Sequence, residues 1–127
     1  MYLAAGVPAA KIVLGVPFYG HAWTTASNVS HGLYQPAASA HIPTDFHDIL
    51  TYLAPGAGYT RFWDSVASAP YLYNSTTHVF ISYDDPESLN IKSAYVLKHK
   101  LGGVMFWDYS GDSNGLLLYT LHAALVR

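Results

Sequence analysis

The sequence predicts an α/β fold in which two buried parallel strands flank an inserted α+β module. Three observations carry this. The apolar runs at residues 11–20 and 104–107 are continuous rather than alternating, as in strands covered on both faces. A helix signal opens at Asp85-Pro86, and parallel neighbours need such a crossover. Residues 21–78 change character, rich in Ala, Ser, Thr, Tyr, His and Gly, yet carry helix and strand signals of their own.

Element by element, residues 1–8 read as the last turn of a helix. Gly6 takes the left-handed position after its end, and Pro8 prevents continuation. Residues 11–20, ending Gly15-Val16-Pro17-Phe18-Tyr19-Gly20, form the first strand. In the module, Phe46, Ile49, Leu50 and Leu53 recur at helical spacing behind Thr44 or Asp45 as cap, and Pro55-Gly56 ends the helix. Strands are expected around 59–63 and 69–73, with Asn74-Ser75 turning the chain into a third at 78–83. Asp85 then caps a helix with Pro86 at its first position and Glu87 near the positive end of the dipole. Leu89, Tyr95 and Val96 against Lys92, Lys98 and Lys100 make it amphipathic, and Gly102-Gly103 ends it. Val104-Met105-Phe106-Trp107 is the second buried strand, and Asp112-Ser113-Asn114 cap a final apolar helix over 115–126. Without the insertion the order is βαβα, the unit of an α/β barrel or of a doubly wound sheet. Two strands cannot close a barrel, and the whole (β/α)8 fold takes about 250 residues.

Composition narrows the partners. Hydrophobic residues reach 51% and charged residues only 11%, against about 25% charged in a typical soluble domain. Such a chain has surfaces meant for other protein to cover. Six Lys and Arg with a net charge of -2 offer no stripe to neutralise phosphates, which argues against nucleic acid. Eleven Tyr and three Trp suit stacking on sugar rings and equally a plain core. Without cysteine there is neither a disulfide frame nor a thiolate metal site, and the seven His show no metal-ligand spacing. No metal or cofactor is expected. No apolar run approaches the roughly 18 residues needed to span a bilayer, so no membrane partner is expected. The first eight residues lack the basic leader of a signal peptide, and localisation is not encoded here.

Four stretches, in order and at fitting spacing, resemble one family. They are Leu14-Gly15-Val16-Pro17-Phe18-Tyr19-Gly20, Gly58-Tyr59-Thr60-Arg61-Phe62-Trp63-Asp64 with Pro70-Tyr71-Leu72-Tyr73, Ser82-Tyr83-Asp84-Asp85-Pro86-Glu87-Ser88, and Gly102-Gly103-Val104-Met105-Phe106-Trp107 with Gly111-Asp112. Over essentially its whole length the chain resembles the carboxy-terminal part of the chitin-degrading glycoside hydrolases of family 18. That resemblance implies a partial (β/α)8 TIM barrel, its last two β/α units, with an inserted small α+β domain. Residues 1–20 then hold the strand seven region, 21–80 the chitinase insertion domain, and 81–127 the return helix, strand eight and the final helix. It also implies chitin or a chitooligosaccharide as partner, a missing amino-terminal barrel segment as another, and secretion.

The resemblance assigns roles to four residues. Trp107 is the aromatic floor of the subsite holding the reacting N-acetylglucosamine, and Tyr19 approaches the sugar and its acetamido group. Met105 shares a strand face with Trp107, where barrel-core filling is the plainer reading. Arg61 reaches a sugar from the insertion wall, or more plainly pairs with Asp64. His21 stands where many members have Arg, which removes one charged sugar contact, and it is not read as catalytic. Asp84, Asp85 and Glu87 beside Pro86 read as helix capping, and Asp112 as a cap of the last helix. Asn28-Val29-Ser30 and Asn74-Ser75-Thr76 are glycosylation sequons.

The family's Asp-x-x-Asp-x-Asp-x-Glu motif, whose Glu is the catalytic acid, is absent, and Glu87 is the sole glutamate. The Met-x-Tyr-Asp pattern of the sixth strand is absent too. Strands one to six are therefore expected before Met1, no catalytic residue is assigned, and the chain alone is expected to be inactive. The expected function is the substrate-binding portion of a chitinase whose complete form works by retention, assisted by the substrate's own acetamido group. The alternative is a non-catalytic chitin-binding lectin of the same fold.

Overall fold

A computed structural model describes residues 2–126. Met1, in the predicted helix end, and Arg127, at the close of the last region, lie outside the described residues. In chain order the elements are a 3-10 turn at Ala9–Lys11, β1 (Val13–Pro17), β2 (His21–Thr25), a 3-10 segment at Val29–Gly32, β3 (Ala37–Ser39), α1 (Phe46–Tyr52), β4 (Thr60–Asp64), β5 (Ala69–Asn74), β6 (Val79–Ser82), α2 (Pro86–Lys98), β7 (Gly103–Trp107), a 3-10 turn at Tyr109–Gly111, and α3 (Leu116–Leu125). Among the described residues no helix is long and apolar enough to cross a membrane.

Residues 2–7 close a helical turn as expected. Val7 N–H donates to Tyr2 O and Gly6 N–H to Leu3 O, both at 3.1 Å. That is a Schellman pair, with Gly6 at φ +83°, a value glycine adopts without penalty.

β1 and β7 are adjacent and parallel, Val13 opposite Gly103 and Pro17 opposite Trp107. Their approach depends on missing side chains: a Cβ on Gly102 would lie 2.4 Å from Ala10 O, and one on Gly111 would lie 2.2 Å from Phe18 O. Val104 and Phe106 face the core, where Phe106 stacks on Phe18 at 4.7 Å. The other face differs from the expectation of burial on both sides. Val13, Met105 and Trp107 expose 55%, 51% and 65% of their surface there. Continuous apolarity marks a face that needs a cover, and nothing among the described residues supplies one.

The second sheet is antiparallel, five strands in the order β3-β2-β6-β5-β4. Three of its strands and α1 fall where the sequence predicts. β2 and β3 do not. The sequence predicts the first strand as far as residue 20, but the chain leaves β1 at Pro17, bends, and starts β2 at His21. β3 is three exposed residues, Ala-Ala-Ser, with no apolar pattern to read. Buried Phe18, Ile49, Leu72, Ile81, Leu89 and Leu117 belong to one cluster, so strands of both sheets and all three helices share a core. Each such side chain contributes about 1.5–3 kcal/mol by leaving water.

The helix starts are built differently from one another. Asp85 Oδ1 accepts from Glu87 N–H at 3.0 Å and Ser88 N–H at 3.1 Å, while Asp85 N–H donates to Ser88 Oγ at 3.0 Å, a full capping box. Asp45 precedes α1 but makes no cap bond. At α3 the N-cap is Gly115, not the predicted triplet. Asp112 Oδ2 and Asn114 Oδ1 instead reach forward to the N–H groups of Leu118 (2.9 Å) and Leu116 (3.1 Å). They satisfy the orphan donors of the first turn from outside it.

Candidate functional site

The carboxyl ends of β1 and β7 lie side by side, and ligand-facing side chains of α/β sheets project from that edge. Trp107 is the last residue of β7. Met105, two residues earlier, shares its face. It lies opposite Gly15, where an added Cβ would sit 3.4 Å from Met105 Cε. Met105 is thus on the open face rather than packed in a core of the described residues.

Tyr19 lies two residues past β1 and is half-buried. Backbone bonds fix it: Phe18 N–H donates to Trp107 O and Gly20 N–H to Thr44 O, each at 2.7 Å, and Tyr19 forms a bridge with Asp45. Its ring meets that of His21 edge-on at 5.4 Å. Met105 and Trp107 thus share the open face of the pair, and Tyr19 follows β1 at the same carboxyl end as Trp107.

Arg61 sits elsewhere, on the outer strand β4 of the second sheet. Its Nε and Nη2 donate to Asp85 Oδ2 at 2.9 and 2.8 Å, and Nη2 also to Glu87 Oε2 at 2.7 Å. The guanidinium lies 5.4 Å from the centre of the Trp63 ring. The expected pair with Asp64 is not formed. Three residues apart on a strand, Arg61 and Asp64 point to opposite faces. Asp64 instead accepts from Val66 N–H (2.9 Å), Ala67 N–H (3.3 Å) and Tyr34 Oη (3.1 Å), which hold its carboxyl below the usual range.

Two further carboxylates are engaged in structure. Asp84 is buried and receives Lys92 Nζ at 2.5 and 2.7 Å and Ser88 Oγ at 2.7 Å. Asp108, fully exposed beyond Trp107, accepts from the Ser110 hydroxyl and from Ser110 N–H, and both bonds hold it below the ordinary carboxylate range. A general acid needs the opposite shift. Asp108 is therefore not poised to donate a proton.

Two features carry no motif in the sequence. His47 Nδ1 lies 3.2 Å from Gly111 O and must donate to it, while Nε2 lies 3.5 Å from Asp48 Oδ1. The first turn of α1 thereby braces the exit of β7, with ligand-type atoms of Asp45, His47 and Asp48 within 4.8 Å of one another. The second is an aromatic series on one face of the five-stranded sheet, with Trp23 beside Phe80 at 6.1 Å, Phe80 on Tyr71 at 4.9 Å and Tyr71 on Phe62 at 5.4 Å. Its signal was the period-two spacing of His21, Trp23 and Thr25 and of Tyr71 and Tyr73. Of the sequons, Asn74 is 7% exposed and its Oδ1 accepts from Thr76 and Thr77 N–H, so it serves the β5–β6 turn. Asn28 is exposed and accepts from Tyr73 Oη.

The whole arrangement recurs in known proteins. The family model of Glycosyl hydrolases family 18 matches residues 1–112. Chitinase A1 of Niallia circulans is 46% identical over 131 residues, which cover 98% of this chain and 19% of that protein. Chitinase ChiW from Paenibacillus sp. str. FPU-7 aligns with a TM-score of 0.88 and 43% identity, over 99% of this chain and 15% of that one. A plant class V chitinase mutant from Cycas revoluta, solved in complex with (GlcNAc)3, gives 0.85 at 28% identity, over 97% of this chain and 36% of that one. The chain spans a minor part of each. With that family match over residues 1–112, the chain belongs to glycosyl hydrolase family 18.

Proposed function

We propose that this chain is the substrate-binding carboxy-terminal part of a chitinase hydrolysing β-1,4-linked N-acetylglucosamine polymers. One observation carries the reading: Trp107 closes β7 at the carboxyl edge of a parallel pair and exposes 65% of its surface there. An indole offers a large rigid apolar face at low entropic cost, which suits the face of a pyranose. Tyr19 and Met105 flank that floor. Arg61 uses Nε and Nη2 for its ion pairs, which leaves Nη1 for a sugar hydroxyl at the insertion wall.

The two strands are read as strands seven and eight of a (β/α)8 barrel, with residues 21–80 as the α+β insertion. Their parallel register and the match to chitinase structures support this. The chemistry is retaining and substrate-assisted, with the proton supplied by a Glu outside these residues. That agrees with Asp108 being held ionised rather than poised as an acid.

A chimera tests the reading. This chain replaces the matching 131 residues of the Niallia circulans enzyme. The chimera is expected to hydrolyse chitooligosaccharides with retention, read from the anomer first released. A folded chimera without turnover overturns the proposal.

A further inference from the structure

We infer that His47 is a positioning residue for the proposed sugar floor: from the inserted module it holds the turn after Trp107, and so fixes where the indole stands. The inference rests on the chitin-binding reading above and deepens it.

Trp107 needs support from outside its own strand. Its indole is 65% exposed and gains little fixity from packing, so its place follows from the backbone on either side. On one side Phe18 N–H donates to Trp107 O at 2.7 Å. On the other the chain enters the 3-10 turn at Tyr109–Gly111, whose bonds are mostly its own. Gly111 N–H donates to Asp108 O and Asp112 N–H to Tyr109 O, each at 3.2 Å, and Ser110 N–H to Asp108 Oδ1 at 2.8 Å. Such bonds shape a turn without tying it down. The tie is at Gly111, whose carbonyl oxygen lies 3.2 Å from His47 Nδ1. A carbonyl only accepts, so Nδ1 carries its proton whatever the charge of the ring. Among the described residues this is the one hydrogen bond from residues 21–80 to residues 101–126.

The element that carries His47 is itself anchored. Phe46 and Ile49 are 2% and 0% exposed and root α1 in the core. Phe46 N–H donates to Phe18 O at 2.9 Å, and Gly20 N–H to Thr44 O at 2.7 Å. Phe18 therefore meets Trp107 through its N–H and α1 through its carbonyl, and His47 closes the ring of contacts at Gly111. A Cβ on Gly111 would lie 2.2 Å from that same Phe18 O, so the turn is drawn closely against the end of β1. Supporting groups on a packed helix hold a site more precisely than loop contacts do. A displacement of about 1 Å can cost about 100-fold in rate. The side chain of His47 is 38% exposed. It buries little, and what its bond supplies is placement.

A double-mutant cycle in the chimera described above tests this. His47→Leu removes the donor and is expected to lower kcat/KM for a chitooligosaccharide about tenfold, the upper scale of one net hydrogen bond. His47→Asn puts an amide N–H near the place of Nδ1–H and is expected to restore most of the loss. In a Trp107→Ala background His47→Leu is expected to cost nothing more, because its effect passes through the indole. Losses that multiply across the two sites overturn the inference, as does an unchanged kcat/KM in His47→Leu. The indole N–H signals of the ¹⁵N-labelled chain, one for each of its three tryptophans, give a reading independent of turnover. His47→Leu is expected to shift the Trp107 signal and His47→Asn to return it, while Trp63 beside Arg61 stays in place. A Trp107 signal unmoved in His47→Leu overturns the inference. A folded chimera inactive before any substitution overturns the chitinase reading instead, and the indole signals then decide the role of His47 alone.

Discussion

At the scale of single residues, exposure separates function from packing. Trp107 is 65% exposed, so its truncation removes little folding contact. In the chimera, Trp107→Ala is expected to lower kcat/KM by about 100- to 1,000-fold, two or three factors of ten at roughly 1.4 kcal/mol each. In the 127-residue chain itself, where that face is open, stability should change by about 0.5 kcal/mol or less, as for surface substitutions, whereas a core tryptophan would lose about 3–5 kcal/mol. A melting scan and a kinetic assay on the same variant decide between them. Tyr83 is the opposite case. It is 4% exposed, its hydroxyl has no partner among the described residues, and burial, followed by the charge of Asp85, pushes its pKa up to about 12. The unfolded chain loses that proton near pH 10, the ordinary tyrosine value. Between pH 10 and 12 the folded state therefore binds more protons than the unfolded one, and stability falls as pH rises. Two pKa units correspond to about 2–3 kcal/mol lost across that window. Tyr83→Phe is expected to be neutral or stabilising at pH 8, because no bond is lost. It should also flatten the alkaline decline in urea-unfolding free energy. An unchanged decline would place the titration on other tyrosines.

At the scale of elements, the junction of β4, β6 and α2 was legible in part. The cap at Asp85 followed from Asp-Pro-Glu, since a capping residue, a missing N–H and a first-turn acid are local signals. The partner of Arg61 did not follow, because pairing within one strand ignores which face each side chain takes. α1 was found from its apolar spacing, while the bracing of β7 by His47 depends on tertiary approach and has no sequence period. Asp85→Ala removes the cap acceptor and one carboxylate of Arg61 together. Chemical denaturation should show a loss of about 2 kcal/mol, near the upper end for N-caps. Glu87→Gln should cost only a few tenths, because its side chain is 57% exposed and the pair is screened. Equal losses would show that the ion pair, not the cap, holds this junction. Gly111→Ala should destabilise by about 1–3 kcal/mol through overpacking. The intruding atom would meet a backbone carbonyl that cannot rotate away.

At the scale of the whole molecule, an 11% charged composition and the open face of β1 and β7 describe the same fact. That face carries Val13, Met105 and Trp107 to the surface, an apolar face of the kind that other protein covers. The edge carries the aromatic groups proposed to bind sugar, and the Asp-x-x-Asp-x-Asp-x-Glu motif is absent from the sequence. Asp108 is the nearest carboxylate in sequence to Trp107, and the two bonds from Ser110 hold it ionised. A positioned acid or base contributes about 100- to 10,000-fold to rate, and without one a glycosidic oxygen leaves unprotonated. The purified chain of 127 residues is therefore expected to release no chromophore from an aryl chitobioside above a buffer blank. Asp108→Asn gives this expectation its counter-test. Turnover that survives repurification and disappears in Asp108→Asn would make Asp108 the proton donor, despite its lowered pKa. Turnover that persists in Asp108→Asn would point to a contaminating hydrolase, separable by zymography. Silence in both, with oligosaccharide still shifting an indole signal, would leave a chain that binds the sugar and waits for its acid from another segment.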